Sequence, residues 1–277
     1  MSLRFRVLGS GSTGNATLVE GDGTAILIDA GLGPRSLAER LLSAGVDPAS
    51  LAAIVVSHEH GDHARGAASF SAKWGVRLCG SRGTYAAAGF GACDIAGYDV
   101  LEAGATRCFG SLSVTGVPVP HDAAGPLAFV VTSGSDRLGH ATDFGHVSAA
   151  LVRAFRGCDA ILMESNYDPG LLRDGSYPWS LKERILGPLG HISNGDVARY
   201  LAEGLGEACH TVVLAHLSQS NNHPEIARMA AEESLRRRGR SEVRVALTGP
   251  EGTGWIDASR PRSAPDREKK PGQMRLF

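Results

Sequence analysis

Residues 54–64 read Ile-Val-Val-Ser-His-Glu-His-Gly-Asp-His-Ala and place four potential metal ligands within six residues. The four ligands are His58, His60, Asp62 and His63. Three apolar residues run directly into them, which predicts a buried strand that ends in a tight loop. A helix is predicted over residues 64–70. Imidazole and carboxylate groups gathered at a strand end are typical ligands of zinc, manganese or iron.

Three further candidate ligands lie downstream. His121, Asp143 and His216 each follow a short apolar segment that predicts a strand. Glu164 follows another such segment. His121, Asp143 and His216 at strand ends are therefore expected to add to the metal site that begins with the 58–63 loop.

The composition indicates a loop-rich globular protein. The chain has 277 residues, of which 43% are hydrophobic, and 36 glycines, which fits one large domain or two small ones. No apolar run approaches the roughly 20 residues that span a membrane, and the first residues contain no signal-peptide core. We therefore expect a cytoplasmic protein without a membrane contact. The five cysteines are widely spaced and form no C-x-x-C pair, which predicts reduced thiols.

Charge divides the chain into two parts. The net charge is −1, but residues 259–277 contain six Lys or Arg against two acidic residues, which leaves −5 on residues 1–258. The body is therefore not a generic polyanion binder, whereas the basic tail has the charge for it. Apolar content falls from Ser259 onward, which predicts a disordered tail after a globular domain at residues 1–258.

The ligand pattern resembles the metallo-β-lactamase superfamily, over about residues 3–257. The resemblance implies an α/β protein, a four-layer αββα sandwich with two mixed β-sheets and outer helices. It also implies two divalent metal ions, zinc or manganese, with iron as a further candidate. By the same resemblance, one ion takes His58, His60 and His121, the other takes Asp62, His63 and His216, and Asp143 bridges them. Asp29 would support the metal loop through hydrogen bonds rather than bind metal.

Glu164 and His191 resemble the acid and the histidine of the nuclease branch of this superfamily, which includes ribonuclease Z. A carboxylate that orients an imidazole keeps it protonated near neutral pH, so His191 could protonate the leaving 3′ oxygen as a general acid. Metal-activated water would be the nucleophile. The predicted catalytic residues are therefore His191, Glu164 and Asp62. The alternative is that His191 only caps the helix that follows.

A closer resemblance is to the YycJ (WalJ) group of metallo-β-lactamase-fold hydrolases. It rests on residues 10–15 (Ser-Gly-Ser-Thr-Gly-Asn), 57–63, 190–194 (Gly-His-Ile-Ser-Asn) and 216–222 (His-Leu-Ser-Gln-Ser-Asn-Asn). Members are associated with 5′-to-3′ exonuclease action on double-stranded DNA, which implies a dinuclear metal-dependent phosphodiesterase in DNA replication or repair. The candidate substrate-binding residues are Asn15, Ser193, Asn194, Ser218, Asn221 and Asn222.

The last five residues, Gln-Met-Arg-Leu-Phe at 273–277, resemble the bacterial sliding-clamp-binding pentapeptide. Leu276 and Phe277 would enter an apolar pocket, Gln273 would fix the register, and Met274 matches the aliphatic second position. Such a tether raises the effective concentration of an enzyme on DNA without a large binding face. The alternative is an unstructured terminus with two apolar residues.

Other functions stay open at this level. The chain could be an RNA-processing nuclease, a small-molecule phosphodiesterase, or a catalytically silent clamp- or nucleic-acid-binding module. The interval of 48 residues from Asp143 to His191 is too short for the β-CASP insertion of larger nucleases. No Gly/Pro-rich arm of the ribonuclease Z kind is present in the sequence, which disfavours processing of precursor transfer RNA. Nothing in the pattern indicates the oligomeric state.

Overall fold

The computed structural model describes residues 3–259, in which fourteen strands form two seven-stranded sheets. The first sheet contains β1 (Arg4–Gly9), β2 (Ala16–Gly21), β3 (Thr24–Ile28), β4 (Ala53–Val55), β5 (Leu78–Gly80), β6 (Tyr98–Val100) and β14 (Ile256–Asp257). The second contains β7 (Thr106–Phe109), β8 (Leu112–Pro118), β9 (Leu127–Ser133), β10 (Asp136–Ala141), β11 (Ala160–Glu164), β12 (Thr211–Ala215) and β13 (Arg244–Leu247).

The two sheets repeat one pairing pattern. In the first, with the order β14-β1-β2-β3-β4-β5-β6, antiparallel pairing from β14 to β3 is followed by parallel pairing from β3 to β6. In the second, antiparallel pairing from β7 to β10 is followed by parallel pairing from β10 to β13. The expectation of two mixed sheets is confirmed. The parallel strands direct their carboxyl ends to one edge, where loops can carry a site.

Helices cover both outer faces. They are α1 (Pro34–Ser43), α2 (Gly61–Ala64), α3 (Ala67–Trp74), α4 (Arg82–Ala87), α5 (Ala149–Phe155), α6 (Pro169–Asp174), α7 (Trp179–Leu186), α8 (Asn194–Glu203) and α9 (Pro224–Arg237). Two short 3₁₀ turns lie at Pro48–Ser50 and Phe90–Ala92. No helix within residues 3–259 is long and apolar enough to cross a membrane.

Three apolar layers hold the sandwich together. Phe5 and Phe129 belong to the layer between the two sheets. Phe70 packs in the layer between the first sheet and its helices, and Phe155 in the layer between the second sheet and its helices. The order helix, sheet, sheet, helix is the predicted four-layer αββα sandwich, which is confirmed.

The metal loop differs from its sequence prediction in one respect. The helix predicted over residues 64–70 is instead two helices, because α2 begins at Gly61 and α3 begins at Ala67. The break contains Gly66, where a Cβ atom would lie 2.2 Å from the carbonyl oxygen of Leu32. Glycine therefore lets this segment approach the chain that follows β3, which brings α2 and its ligands close to the first sheet.

Candidate metal centre and active site

The structure gathers the seven predicted ligands at the carboxyl ends of strands from both sheets. The loop after β4 carries His58, His60, Asp62 and His63, while His121 follows β8, Asp143 follows β10 and His216 follows β12. Their donor atoms form two groups, and within each group all atoms lie within 4.8 Å of one another. One group is His58, His60, His121 and Asp143, and the other is Asp62, His63, Asp143 and His216. These groups coincide with the division that the resemblance implied.

Asp143 lies at the centre of both groups. Its Oδ2 atom is 3.4 Å from Nε2 of His58, 3.1 Å from Nε2 of His63 and 3.8 Å from Nε2 of His121. Its Oδ1 atom is 2.5 Å from Nδ1 of His216. Asp143 is buried, and the nearby imidazoles of His216 and His63 hold the pKa of its carboxyl well below the usual range despite the opposing effect of burial. The carboxylate is therefore ionised and available to both groups.

The donor set fits divalent cations. Nε2 of His58 is buried without a hydrogen-bond partner, and it points at the other ligand atoms. Burial lowers the pKa of His58 to about 4, so its imidazole is neutral at physiological pH. A neutral imidazole is the form that ligates metal, and a buried ring nitrogen without a partner is rare unless a ligand completes it.

Asp29 supports the metal loop. Its Oδ1 atom accepts a hydrogen bond from the backbone N–H of Ser57 (2.7 Å), and Oδ2 lies 2.9 Å from Oγ of Ser57 and 2.7 Å from Nδ1 of His63. Nδ1 of His63 is thereby engaged, which leaves Nε2 directed at Asp143. This hydrogen-bonded position is the one that the resemblance implied for Asp29.

Backbone strain is concentrated at the same site. Asp29, Asp143 and His216 have φ angles of 61°, 54° and 52°, and the only other non-glycine residue with positive φ within residues 3–259 is Asp22. Left-handed φ is uncommon for residues other than glycine, and it persists where the surrounding structure determines it. Three strained residues at one centre indicate that the fold maintains this geometry against a conformational cost.

Glu164, the last residue of β11, is fully buried and connects two histidines. Its Oε1 atom is 2.7 Å from Nδ1 of His191 and 2.8 Å from Nδ1 of His216, and Oε2 accepts the backbone N–H of Phe144 at 3.1 Å. Although burial opposes the charged imidazole, Glu164 raises the pKa of His191. His191 is not the N-cap of α8, because Oγ of Ser193 fills that position and accepts the backbone N–H of Asp196.

The six predicted substrate-binding residues differ in accessibility. Ser218 lines the open cleft at the metal ligands. Asn15 is buried, with Nδ2 3.0 Å from Nε2 of His63. Asn194 and Asn222 are buried and bonded to each other and to Ser165. Their contacts favour support of the metal loops, and direct substrate contact remains a prediction for them.

The remaining two of the six also lie within the protein. Oγ of Ser193 is engaged in the cap of α8. Asn221 is buried, and its backbone N–H donates to Oγ of Ser218 at 3.1 Å. Asn221 therefore helps to orient Ser218, the member of the set that faces the cleft.

The cleft over the ligands has a volume of about 430 Å³. Its floor contains His60, Asp62, Asp143, His191 and His216, and one wall contains Tyr177, Leu181, Arg184 and Ile185. These wall residues belong to none of the motifs in the sequence. The only signal for them was an aromatic pair, Tyr177 and Trp179, on either side of a proline.

Residues 9–191 match the family described as the metallo-beta-lactamase superfamily. That match covers more than half of the chain, and it includes the metal loop, Asp143 and the Glu164–His191 pair. The chain belongs to the metallo-beta-lactamase superfamily. The two mixed sheets flanked by helices match the fold of this superfamily.

Two curated relatives extend the comparison. The chain is 34% identical over 241 residues to exodeoxyribonuclease YycJ of Bacillus anthracis, covering 86% of this chain and 91% of that protein. It is also 34% identical over 239 residues to exodeoxyribonuclease WalJ of Streptococcus pneumoniae serotype 2, covering 85% and 89%. The predicted YycJ/WalJ resemblance is confirmed, and the protein is a metallo-beta-lactamase-fold hydrolase.

Solved structures of metallo-beta-lactamase-fold proteins agree on the architecture. YhfI from Bacillus subtilis superposes with a TM-score of 0.70 at 14% identity, covering 92% of this chain and 100% of that one. The short form of human tRNase Z superposes with a TM-score of 0.62 at 15% identity, covering 92% and 99%. At these identities, the superpositions show the shared fold alone.

Proposed function

We propose that the protein is a dinuclear metal-dependent phosphodiesterase that acts as a 5′-to-3′ DNA exonuclease in replication or repair. The observation that carries the proposal is the 2.7 Å contact between Glu164 and His191, beside the two ligand groups and open to one cleft. The 34% identity to two proteins named exodeoxyribonucleases supports DNA as the substrate.

The two ligand groups would each hold one divalent ion, with Asp143 in both. Bound ions would supply a water of lowered pKa and neutralise charge on the phosphate. The side chains have separate tasks: Asp29 orients His63, and Glu164 orients both His216 and His191. With Nδ1 of His191 bonded to Glu164, its Nε2–H is the proton donor for the leaving 3′ oxygen.

Labelled duplexes test the proposal. We expect manganese- or zinc-loaded protein to release the label of a 5′-labelled DNA duplex with the first nucleotide, and to shorten a 3′-labelled duplex stepwise from its 5′ end. A matched RNA is the reference. Intact DNA with cleaved RNA would instead assign the protein to RNA processing. If both polymers stay intact with either metal, a small-molecule phosphodiesterase or a silent binding module becomes the better assignment.

The pH dependence of cleavage tests the Glu164–His191 pair. A general acid acts in its protonated form, so the rate should fall as the pH rises through the pKa of His191. Since Glu164 raises that pKa, Glu164→Gln is expected to move the descending limb of kcat/KM to lower pH. Metal content must be measured alongside, because Glu164 also contacts His216. If Glu164→Gln lowers kcat/KM by the same factor at every pH and the descending limb stays at the wild-type pH, the limb does not report on the Glu164–His191 pair.

The clamp-binding pentapeptide remains part of the proposal, because residues 273–277 lie outside the described residues. The last strand before the tail is β14, which pairs with Arg4 and Phe5 at the beginning of β1. Beyond the opposite end of β1, Oγ of Ser10 accepts a hydrogen bond from the backbone N–H of the candidate ligand His216. The chain therefore enters the tail at the end of the sheet away from the metal centre.

Phe277→Ala is expected to abolish binding to a bacterial sliding clamp, measured with purified clamp, without changing hydrolysis of short duplexes. The reason is that Phe277 would supply much of the apolar contact while lying far from the metal ligands in sequence. Arg275→Ala is the matched control, because the third position of the pentapeptide carries no assigned contact. Clamp affinity that survives Phe277→Ala would remove the tether from the proposal.

A further inference from the structure

One wall of the cleft comes from a segment that carries none of the seven metal ligands. Residues 167–186, which contain α6 and α7, have a small apolar cluster of their own, formed by Tyr167, Leu172 and Ile185 with Tyr177 and Leu181 packed against it. Tyr177 is partly buried on this cluster and also lines the cleft. The segment therefore presents an aromatic side chain to the same space as the metal ligands.

Buried polar contacts fix this wall in place. Nζ of Lys182 donates to the carbonyl oxygens of Arg173 (2.7 Å) and Gly175 (2.6 Å), although Lys182 is only 7% exposed. At Gly175 a Cβ atom would lie 2.6 Å from Oδ1 of Asn221, so the turn between α6 and α7 packs closely on the loop after His216. A lysine is seldom buried unless its donors are satisfied, and here they close the turn just before Tyr177. The ring is thus held at a defined position relative to the metal centre.

The wall also carries a cation. Arg184 is the one Lys or Arg among the described residues that line the cleft. Its Nε and Nη2 atoms donate to Asp122 at 2.6 and 3.2 Å, next to the candidate ligand His121, and no hydrogen bond from Nη1 is present in the described part of the chain. The ion pair holds the guanidinium in one orientation and leaves a donor for a further acceptor.

The two sides of the cleft therefore differ in chemistry. The floor offers imidazole and carboxylate ligands that suit phosphate-bound metal, and the wall offers an aromatic ring, two aliphatic side chains and a guanidinium. A nucleotide has the same division, with a charged phosphodiester and a flat π-face. The volume of about 430 Å³ lies within the range of about 300–1,000 Å³ that is usual for small-molecule sites.

We propose that Tyr177 is a base-stacking residue that holds one nucleotide flanking the scissile phosphodiester, with Arg184 directed at a neighbouring phosphate. The proposal rests on the proposed nuclease function and adds a positioning residue to it. Stacking is tolerant of sequence because every base has a π-face, which suits an exonuclease that must accept successive nucleotides. It also gives a body of net negative charge a contact with DNA that does not depend on a basic surface.

The test compares natural DNA with DNA that lacks one base. Oligonucleotide duplexes carry a tetrahydrofuran abasic residue on either side of the first scissile bond, and kcat/KM is measured with full-length, metal-loaded protein. Removing the stacked base is expected to lower kcat/KM of the wild type roughly 5- to 150-fold on one of the two sides. Tyr177→Leu should lower kcat/KM on natural DNA by a similar factor and lose the discrimination.

Two further variants separate stacking from simple packing. Tyr177→Phe keeps the ring and should retain both the rate and the discrimination. Trp179→Leu is the matched control, because Trp179 is 62% exposed on the same segment but does not line the cleft, and it should behave as the wild type. Thermal unfolding and metal content are recorded for every variant.

The outcomes are distinct. If Tyr177→Leu still discriminates against the abasic end as the wild type does, or if Tyr177→Phe loses the discrimination, the stacking role is wrong while the nuclease function stands. Equal wild-type rates on natural and abasic ends on both sides would also overturn it. Wild-type protein that cleaves neither DNA nor RNA would remove the proposed function and this inference together.

Discussion

Replacing His191 with alanine is expected to lower kcat for DNA cleavage about 10²- to 10⁴-fold, the usual contribution of a positioned general acid. The imidazole is held by Glu164 at 2.7 Å, at the edge of the metal ligands. Without it, the 3′ oxygen must leave as an alkoxide or take its proton from water. Binding of the substrate should change little, because the proton is transferred only in the transition state.

The geometry allows one competing role for His191. Asp143, Glu164, His191 and His216 also form a group whose donor atoms lie within 4.8 Å of one another, so His191 could be a metal ligand instead. Metal content separates the two roles, since loss of a ligand lowers metal affinity and loss of a general acid does not.

A substrate with an activated leaving group provides a second readout. Bis(p-nitrophenyl) phosphate releases a phenolate that needs no protonation, so His191→Ala should impair its hydrolysis far less than it impairs DNA cleavage. His146→Ala is the control, because His146 is an exposed histidine outside this cleft, with Nδ1 3.1 Å from the carbonyl oxygen of Pro188. Equal losses on DNA and on the activated ester would show that His191 does not act as the acid.

The grouping of the seven candidate ligands was predictable because most of them have a local signature in the sequence. Residues 58–63 are contiguous, and Asp143 and His216 follow apolar strands whose parallel pairing brings their ends to one edge. Glu164 was predictable for the same reason, as the last residue of β11. What the sequence did not reveal is that one carboxylate contacts both His191 and His216, because that depends on tertiary packing.

The environment of the polar residues beside the candidate ligands could not be predicted from the sequence. Asn194 follows the proposed general acid His191 and Asn222 follows the candidate ligand His216, and from sequence alone they could equally face a substrate or support a loop. In the structure both are buried and their side-chain amides donate to each other, and Asn222 also donates to the backbone carbonyls of Ser165 and Asn166. An irregular buried loop satisfies its polar groups in this way. Tyr177 and Arg184, by contrast, belong to no motif in the sequence and yet line the cleft. Only the packing of α6 and α7 brings them there.

Gly31→Ala is expected to disable the metal centre more severely than any other single methyl group added at the loop after β3. A Cβ atom at Gly31 would lie 1.7 Å from the carbonyl oxygen of Asp62 and 2.8 Å from the backbone nitrogen of Asn15. The obstructing atoms are backbone atoms, so no side chain can rotate away. The loops after β1, β3 and β4 meet here through hydrogen bonds from Asn15 to Asp62 (2.7 Å) and from Gly31 to Asn15 (2.9 Å).

The matched control is Gly33→Ala, because nothing lies within 4 Å of a Cβ atom at Gly33 and its φ is −60°. The two glycines are equivalent in the sequence Ala30-Gly31-Leu32-Gly33, and only the structure distinguishes them. Overpacking of this kind typically costs about 1–3 kcal/mol of unfolding free energy, occasionally more, whereas Gly33→Ala should cost well under half of that. Denaturant unfolding measures both.

The comparison of loaded and metal-free protein identifies where the damage acts. Bound metal stabilises the native state by an amount that grows with its affinity, so a variant with misplaced Asp62 should lose part of that stabilisation as well. Gly31→Ala should therefore reduce the unfolding free energy more in the presence of zinc or manganese than after chelation. An equal reduction in both states would mean that the added methyl group weakens the fold without displacing the ligands. If Gly31→Ala keeps the metal affinity and the cleavage rate of the wild type, the loops after β1, β3 and β4 can move apart without disturbing the metal centre. That result would contradict the role assigned here to the contacts between these loops.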